Sequence, residues 1–154
     1  TYTNIVYDVL KHSYVSSMLE YTYLINDNSF NIYKLLKLCL NNIEKGVSEK
    51  LVASYFLAKI LKEQGFMFKY QKTDYNYVWY SFQKNSFVDK FNTDYSVYGL
   101  NDHLVKLTYY LSIKNIDFLE SLEIENKDLI RLFSFLICCL KNLLELKRNH
   151  IKKY

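Results

Sequence analysis

Between Asn126 and Leu144 apolar side chains stand at Leu129, Ile130, Leu132, Phe133, Leu136, Ile137, Leu140, Leu143 and Leu144. Steps of three and four gather such residues only when the chain turns as an α-helix, and here they cover well over half of its circumference. A helix that apolar has to be surrounded by others, so it reads as the spine of a core. The same spacing recurs upstream. From Asn4 to Ile25 the residues Ile5, Val9, Tyr14, Val15, Met18, Leu19 and Leu24 describe one helical face. Asn26-Asp27-Asn28-Ser29 breaks that run and offers a new N-cap. A second helix follows from about Phe30 to Glu44, with Ile32, Leu35, Leu36, Cys39, Leu40 and Ile43 inward and Gly46 closing it. Ser48 caps a third, "SEKLVASYFLAKILKEQG", with Leu51, Val52, Tyr55, Phe56, Ile60 and Leu61 inward and Gly65 as its left-handed C-cap.

Past Gly65 the period changes from 3.6 to two. Tyr77, Trp79 and Ser81 alternate with Val78, Tyr80 and Phe82, "SFVDKF" follows, and Gln83-Lys84-Asn85 suits the connector of a hairpin. Two strands are not stable alone in water, so the hairpin must lean on the helices. Asn101 or Asp102 then starts a fourth helix to about Ile113, Asp117 to Leu122 suits a short one, and Asn126-Lys127-Asp128 opens the last. The expected architecture is mainly α: one bundle-like helical domain over residues 1–154 with a β-hairpin inserted at about 73–92.

Half of the 154 residues are apolar, enough for a real core. The most apolar run, Leu129 to Leu140, is broken by Arg131 and Ser134 and is too short to span a bilayer. Cys39, Cys138 and Cys139 are an odd number set in apolar helical patterns, which reads as reduced thiols of a cytoplasmic protein. His12, His103 and His150 are separated, and no phosphate loop, nucleophile elbow or HExxH pattern is present. Nothing marks an enzyme, a cofactor site or a metal site. The formal charge of +4 is accounted for by Lys147, Arg148, Lys152 and Lys153 alone. These four are candidates for nucleic-acid phosphates; equally, cations in a last turn offset a helix dipole. Lys50, Lys59 and Lys62 beside the apolar residues of the third helix are candidates for an acidic protein partner, or are solvated lysines on an amphipathic helix.

This order of elements resembles the C-terminal domain of the RecO family of recombination mediators. "IVYDVLKHSYVSSMLEYTYLI" is similar to the family's first helix of that domain, "FNIYKLLKLCLNNIEKG" to its Leu-rich second helix, and "SYFLAKILKEQGF" to the helix that ends in Gly and an aromatic. Many members then carry a Pro, a Leu and two Cys-x-x-Cys pairs of a zinc hairpin. Counting from Gly65-Phe66 puts Phe68 at the Pro, Tyr70 at the Leu, and Asn85 and Ser86 at two Gly. Thr73 and Asn76 then fall at the first Cys pair, and Asp89 and Asn92 at the second. Hydroxyl, amide and carboxylate groups in place of thiolates make a poor structural zinc site, so no metal is expected.

The resemblance implies a non-enzymatic role in DNA repair and recombination. It implies binding of DNA, contacts with single-strand-binding protein and with RecR, strand annealing and the loading of RecA. It also implies that this helical domain accepts the acidic, Phe-ended tail of the single-strand-binding protein. The family's N-terminal OB-fold has no counterpart in the chain, which reads as a fragment or a truncated relative. The alternative is a stand-alone helical protein-interaction module without affinity for nucleic acid.

Overall fold

The computed structural model describes residues 9–25, 31–69, 77–88 and 97–152, with side chains described for all of these except 9–13, 77–78 and 147–152. Five α-helices appear among them: α1 (Val9–Leu24), α2 (Ile32–Glu44), α3 (Glu49–Glu63), α4 (Asp102–Ile113) and α5 (Asn126–Lys152). A 3-10 helix covers Ile116–Ser121. Strands β1 (Tyr77–Ser81), β2 (Ser86–Val88) and β3 (Val97–Asn101) form one antiparallel sheet in the order β2-β1-β3. The domain is mainly α with a small β insertion, as its periodicity predicts.

Caps fix most helix ends. The side chains of Asn31, Ser48 and Asn101 accept hydrogen bonds from the backbone N–H groups of Lys34, Leu51 and Leu104, so each satisfies a donor that the first turn leaves open. The cap of α2 is thus Asn31, beyond the 26–29 stretch that the sequence suggested, and Asn101 rather than Asp102 caps α4. At the other end of α3 the Gly65 N–H bonds the Lys62 carbonyl at 3.1 Å, and the Phe66 N–H bonds the Leu61 carbonyl at 3.0 Å. This paired closure needs a left-handed residue, and Gly65 adopts φ +96°. It also reverses the chain sharply, so that Phe66 falls back onto the core.

The spine of the core is α3, not α5. Every residue of α3 from Leu51 to Leu61 except Lys59 is buried, and the helix packs on α1, α2, α4, α5 and the 3-10 turn. Small side chains make this possible: Ala53, Ser54 and Ala58 occupy the sides that the large apolar residues leave, and let neighbouring helices approach. Helix α5 flanks α3 through Leu129, Leu132, Phe135, Leu136, Cys139 and Leu140, while Ile130 is exposed. In α1, Val15, Met18, Tyr21 and Ile25 are buried, whereas Leu19 and Leu24, expected inward, face outward. The buried face keeps Val15 and Met18 of the expected stripe and continues through Tyr21 and Ile25 instead of Leu19 and Leu24. Buried hydroxyls inside the helices are satisfied locally, Thr22 by the Met18 carbonyl and Thr108 by the Leu104 carbonyl, both at 2.7 Å.

The hairpin of β1 and β2 forms where its alternation places it, with Tyr80 opposite Phe87 and Ser81 opposite Ser86. Its tight turn puts Asn85 at φ 52°, a left-handed position that asparagine tolerates. A third strand completes it: β3 pairs with the other edge of β1, with Trp79 opposite Gly99 and Tyr80 opposite Tyr98. Gly99 suits this position, because a Cβ would stand 3.0 Å from the Trp79 ring and the indole would have to give way. One face of the sheet rests on α5 as an aromatic layer, in which Tyr80, Phe87 and Tyr98 all meet Phe135. Arg131 of α5 clamps the edge, donating to the Gly99 carbonyl at 2.9 Å with its guanidinium 4.4 Å from the Tyr98 ring centroid.

Candidate functional site

Beyond Gly65 the chain runs extended, so successive side chains alternate in direction. Phe66 and Phe68 turn inward and are buried, while Met67 and Lys69 turn outward. The segment is held against the hairpin by the Met67 N–H, which donates to the Asn85 carbonyl at 2.9 Å. On its outer side lies a cleft of about 970 Å³, walled by the C-terminal ends of α3 and α4, by residues 65–69 and by the start of β2.

The cleft combines apolar surface with positive charge. Phe66 and Phe68, both buried, line it with the half-buried Phe87 and Tyr109 and the exposed Met67 and Ile113. Met67 and Ile113 remain 52% and 42% exposed, which leaves them available to a partner. Lys62 and Lys69 stand exposed at the rim, and no carboxylate is among the lining residues that are described. Such a surface matches an apolar side chain carried next to negative charge.

The three candidate lysines of α3 do not share a face. Lys50 and Lys59 are nine residues apart, half a turn out of phase on a helix. Lys50 donates to the Asn126 side chain at the start of α5 and lies 5.9 Å from the Tyr14 ring centroid, at the end of α3 remote from the cleft. Lys59 donates to the Ser112 carbonyl at 3.0 Å and lies 5.2 Å from the Tyr55 ring centroid. Only Lys62 of the three reaches the cleft, where Lys69 joins it.

The remaining candidates divide by what is described. Lys147, Arg148 and Lys152 fall within α5, but their side chains, and Lys153 altogether, lie outside the described residues. So do Thr73, Asn76, Asp89 and Asn92, the positions of the family's zinc ligands, together with Tyr70. Among the described residues no group of His, Cys, Asp and Glu is placed to hold a metal ion. His103 is exposed in the first turn of α4. Cys39 and Cys139 are buried, and burial pushes both thiols up, away from the thiolate that nucleophilic chemistry needs. Among the same residues no helix is long and apolar enough to cross a membrane.

The architecture defines a class: a mainly α domain carrying an inserted antiparallel sheet. The family model that matches it is described as Recombination protein O C terminal, over residues 10–151, nearly the whole chain. The chain belongs to this family, and its role is in DNA repair and recombination. No curated protein and no solved structure gives a significant match. Sequence reading missed Met67, Lys69, Tyr109 and Ile113 as site residues. The alternation of Phe66-Met67-Phe68-Lys69 directly after a helix-closing glycine was the signal that could have found the first two.

Proposed function

We propose that this domain acts without catalysis in recombinational repair, and that its cleft takes the acidic, Phe-ended tail of the single-strand-binding protein. The observation that carries the reading is the cleft between α3 and α4, lined by Phe66, Phe68 and Phe87, with Lys62 and Lys69 at its rim and no acidic lining among the described residues. An inserted phenyl ring is desolvated among Phe66, Phe68 and Phe87, while carboxylates beside it meet the two ammonium groups. Membership of the Recombination protein O C-terminal family supports the same reading. Contacts with RecR, promotion of annealing and RecA loading, and binding of DNA by Lys147, Arg148, Lys152 and Lys153 belong to the same proposal. On this reading Lys62 is a partner-binding residue, whereas Lys50 serves the packing of α3 on α5.

The test is a titration of the chain with a labelled acidic peptide ending in Phe, and with the same peptide ending in Ala. The reading expects the Phe-ended peptide to bind at least tenfold tighter, since burying an aromatic side chain contributes about 1.5–3 kcal/mol. Equal affinity for the two peptides contradicts it.

A further inference from the structure

Lys59 stands beside the cleft without lining it. It is the single position between Leu51 and Leu61 of α3 that is not fully buried, and its head group is turned to the end of α4. There it donates to the Ser112 carbonyl, one of the last acceptors of α4, which have no partner within their own helix. The Tyr55 ring, 5.2 Å away, braces the same ammonium. Partial burial, and then the charge of Lys62, pushes the Lys59 ammonium below its ordinary range. The carbonyl that it holds belongs to the final turn of α4, and this turn supplies Tyr109, Ser112 and Ile113 to the cleft wall. The last turn is tied further by the Lys114 N–H to the Tyr110 carbonyl at 2.9 Å and by the Ser112 hydroxyl to the Tyr109 carbonyl at 2.6 Å.

We infer that Lys59 is a positioning residue for the cleft: it fixes the α4 wall against α3 through the Ser112 carbonyl, and so sets the affinity for whatever apolar group enters, without touching it. This rests on the reading of the cleft as a peptide site. It assigns the two neighbouring lysines different tasks, Lys62 meeting the charge of the ligand and Lys59 holding the wall.

The experiment compares Lys59→Met, Lys59→Arg and Lys62→Met in the full chain. Two Phe-ended peptides serve as probes, one acidic and one with its carboxylate side chains replaced by amides. Losing one hydrogen bond to a carbonyl weakens binding about three- to tenfold when the wall depends on it. Lys59→Met is expected to weaken both peptides by the same factor, and Lys59→Arg to restore both, since a guanidinium keeps the donor and the ring contact. Lys62→Met is expected to weaken the acidic peptide alone. Unchanged affinities in Lys59→Met overturn the inference. So does a loss confined to the acidic peptide, which makes Lys59 a direct charge contact. Should the methionine be poorly tolerated at this half-buried position, Lys59→Ala takes its place with the same outcomes. If the wild-type chain binds neither peptide, the reading of the cleft fails. Amide exchange at Lys114 then decides the positioning role: faster exchange in Lys59→Met upholds it, and equal exchange overturns it.

Discussion

The Tyr80 ring stands edge-on to Phe135, with centroids 5.3 Å apart and planes at 76°, and this contact joins the inserted sheet to the helical core. Tyr80 is wholly buried, opposite both Phe87 and Tyr98 in the sheet, and also meets Phe66 and Phe68 at the back of the cleft. Among the described residues its hydroxyl has no hydrogen bond of ordinary geometry, the Met67 backbone being the polar group that acts on it. The ring therefore carries most of the stabilisation. Tyr80→Ala is expected to lower stability by about 3–5 kcal/mol, and Tyr80→Phe to leave it within about 1 kcal/mol of the wild type or to raise it. Urea unfolding of the two variants checks this; a large loss in Tyr80→Phe means that the hydroxyl is bonded after all.

Gly99 gives a second, sharper expectation. A methyl group there meets Trp79 at 3.0 Å across the β1–β3 pair, so Gly99→Ala has to push the strands apart or move the indole. Overpacking of this kind costs about 1–3 kcal/mol. Arg131→Met removes the clamp on the same residue and is expected to cost about 1 kcal/mol, from one hydrogen bond and one cation–π contact. Thermal melts of both variants test the pair, and an unperturbed Gly99→Ala contradicts the close approach.

Alkaline pH acts through the buried tyrosines. Burial pushes Tyr55 up to about 12 and Tyr80 further still, and it also raises Tyr21 and Tyr14. Each folded phenol stays protonated where the unfolded one, ionising near 10, has given up its proton, so the unfolded chain binds fewer protons. Their contribution is fully present below pH 10 and is lost as pH rises through the folded values. Lys59, pushed down, acts oppositely: stability grows as pH climbs toward its ordinary 10.5. The urea midpoint is thus expected to hold or rise slightly up to about pH 10 and then to fall. Tyr55→Phe is expected to flatten the fall between about pH 10 and 12, and an identical profile for that variant contradicts the assignment.

The four cations near the end of α5 bear on the DNA part of the proposal. Replacing Lys147, Arg148, Lys152 and Lys153 with Ala is expected to weaken binding of a labelled single strand alike for all sequences. The log-log salt slope then falls by about 0.7 for each phosphate that is no longer neutralised. Folding is expected to change little, because exposed charges stabilise little. An unchanged slope means that these residues are only a solvated helix end.

How much of this was legible in the sequence follows from what each signal measures. Helical period marked α2 to α5 closely, because apolar side chains recur where a face is buried. The identity of the spine was not legible. Apolar count pointed to α5, yet α3 is the helix enclosed on all sides, and its enclosure depends on Ala53, Ser54 and Ala58, which carry no hydrophobic signal. Strand β3 was hidden by Gly99, which weakens any local strand pattern and has its reason only in Trp79, twenty residues earlier. The cleft was partly legible: Lys62 was marked, but Lys69 and the α4 wall join it through tertiary packing alone. Lys50 and Lys59 were grouped with Lys62 by composition; helical phase separates Lys50, and Lys59, on the same side as Lys62, is taken up by the Ser112 carbonyl.

The most direct measurement of the central claim is a nuclear magnetic resonance titration of the isotope-labelled chain with the acidic, Phe-ended peptide, reading backbone amide shifts residue by residue. The account predicts the largest shifts at Lys62, Met67, Lys69, Tyr109 and Ile113, abolished when Lys62 and Lys69 are both replaced by Glu. Saturable shifts confined to α1, α2 or the end of α5, or shifts at the cleft that persist in the doubly substituted chain, contradict it.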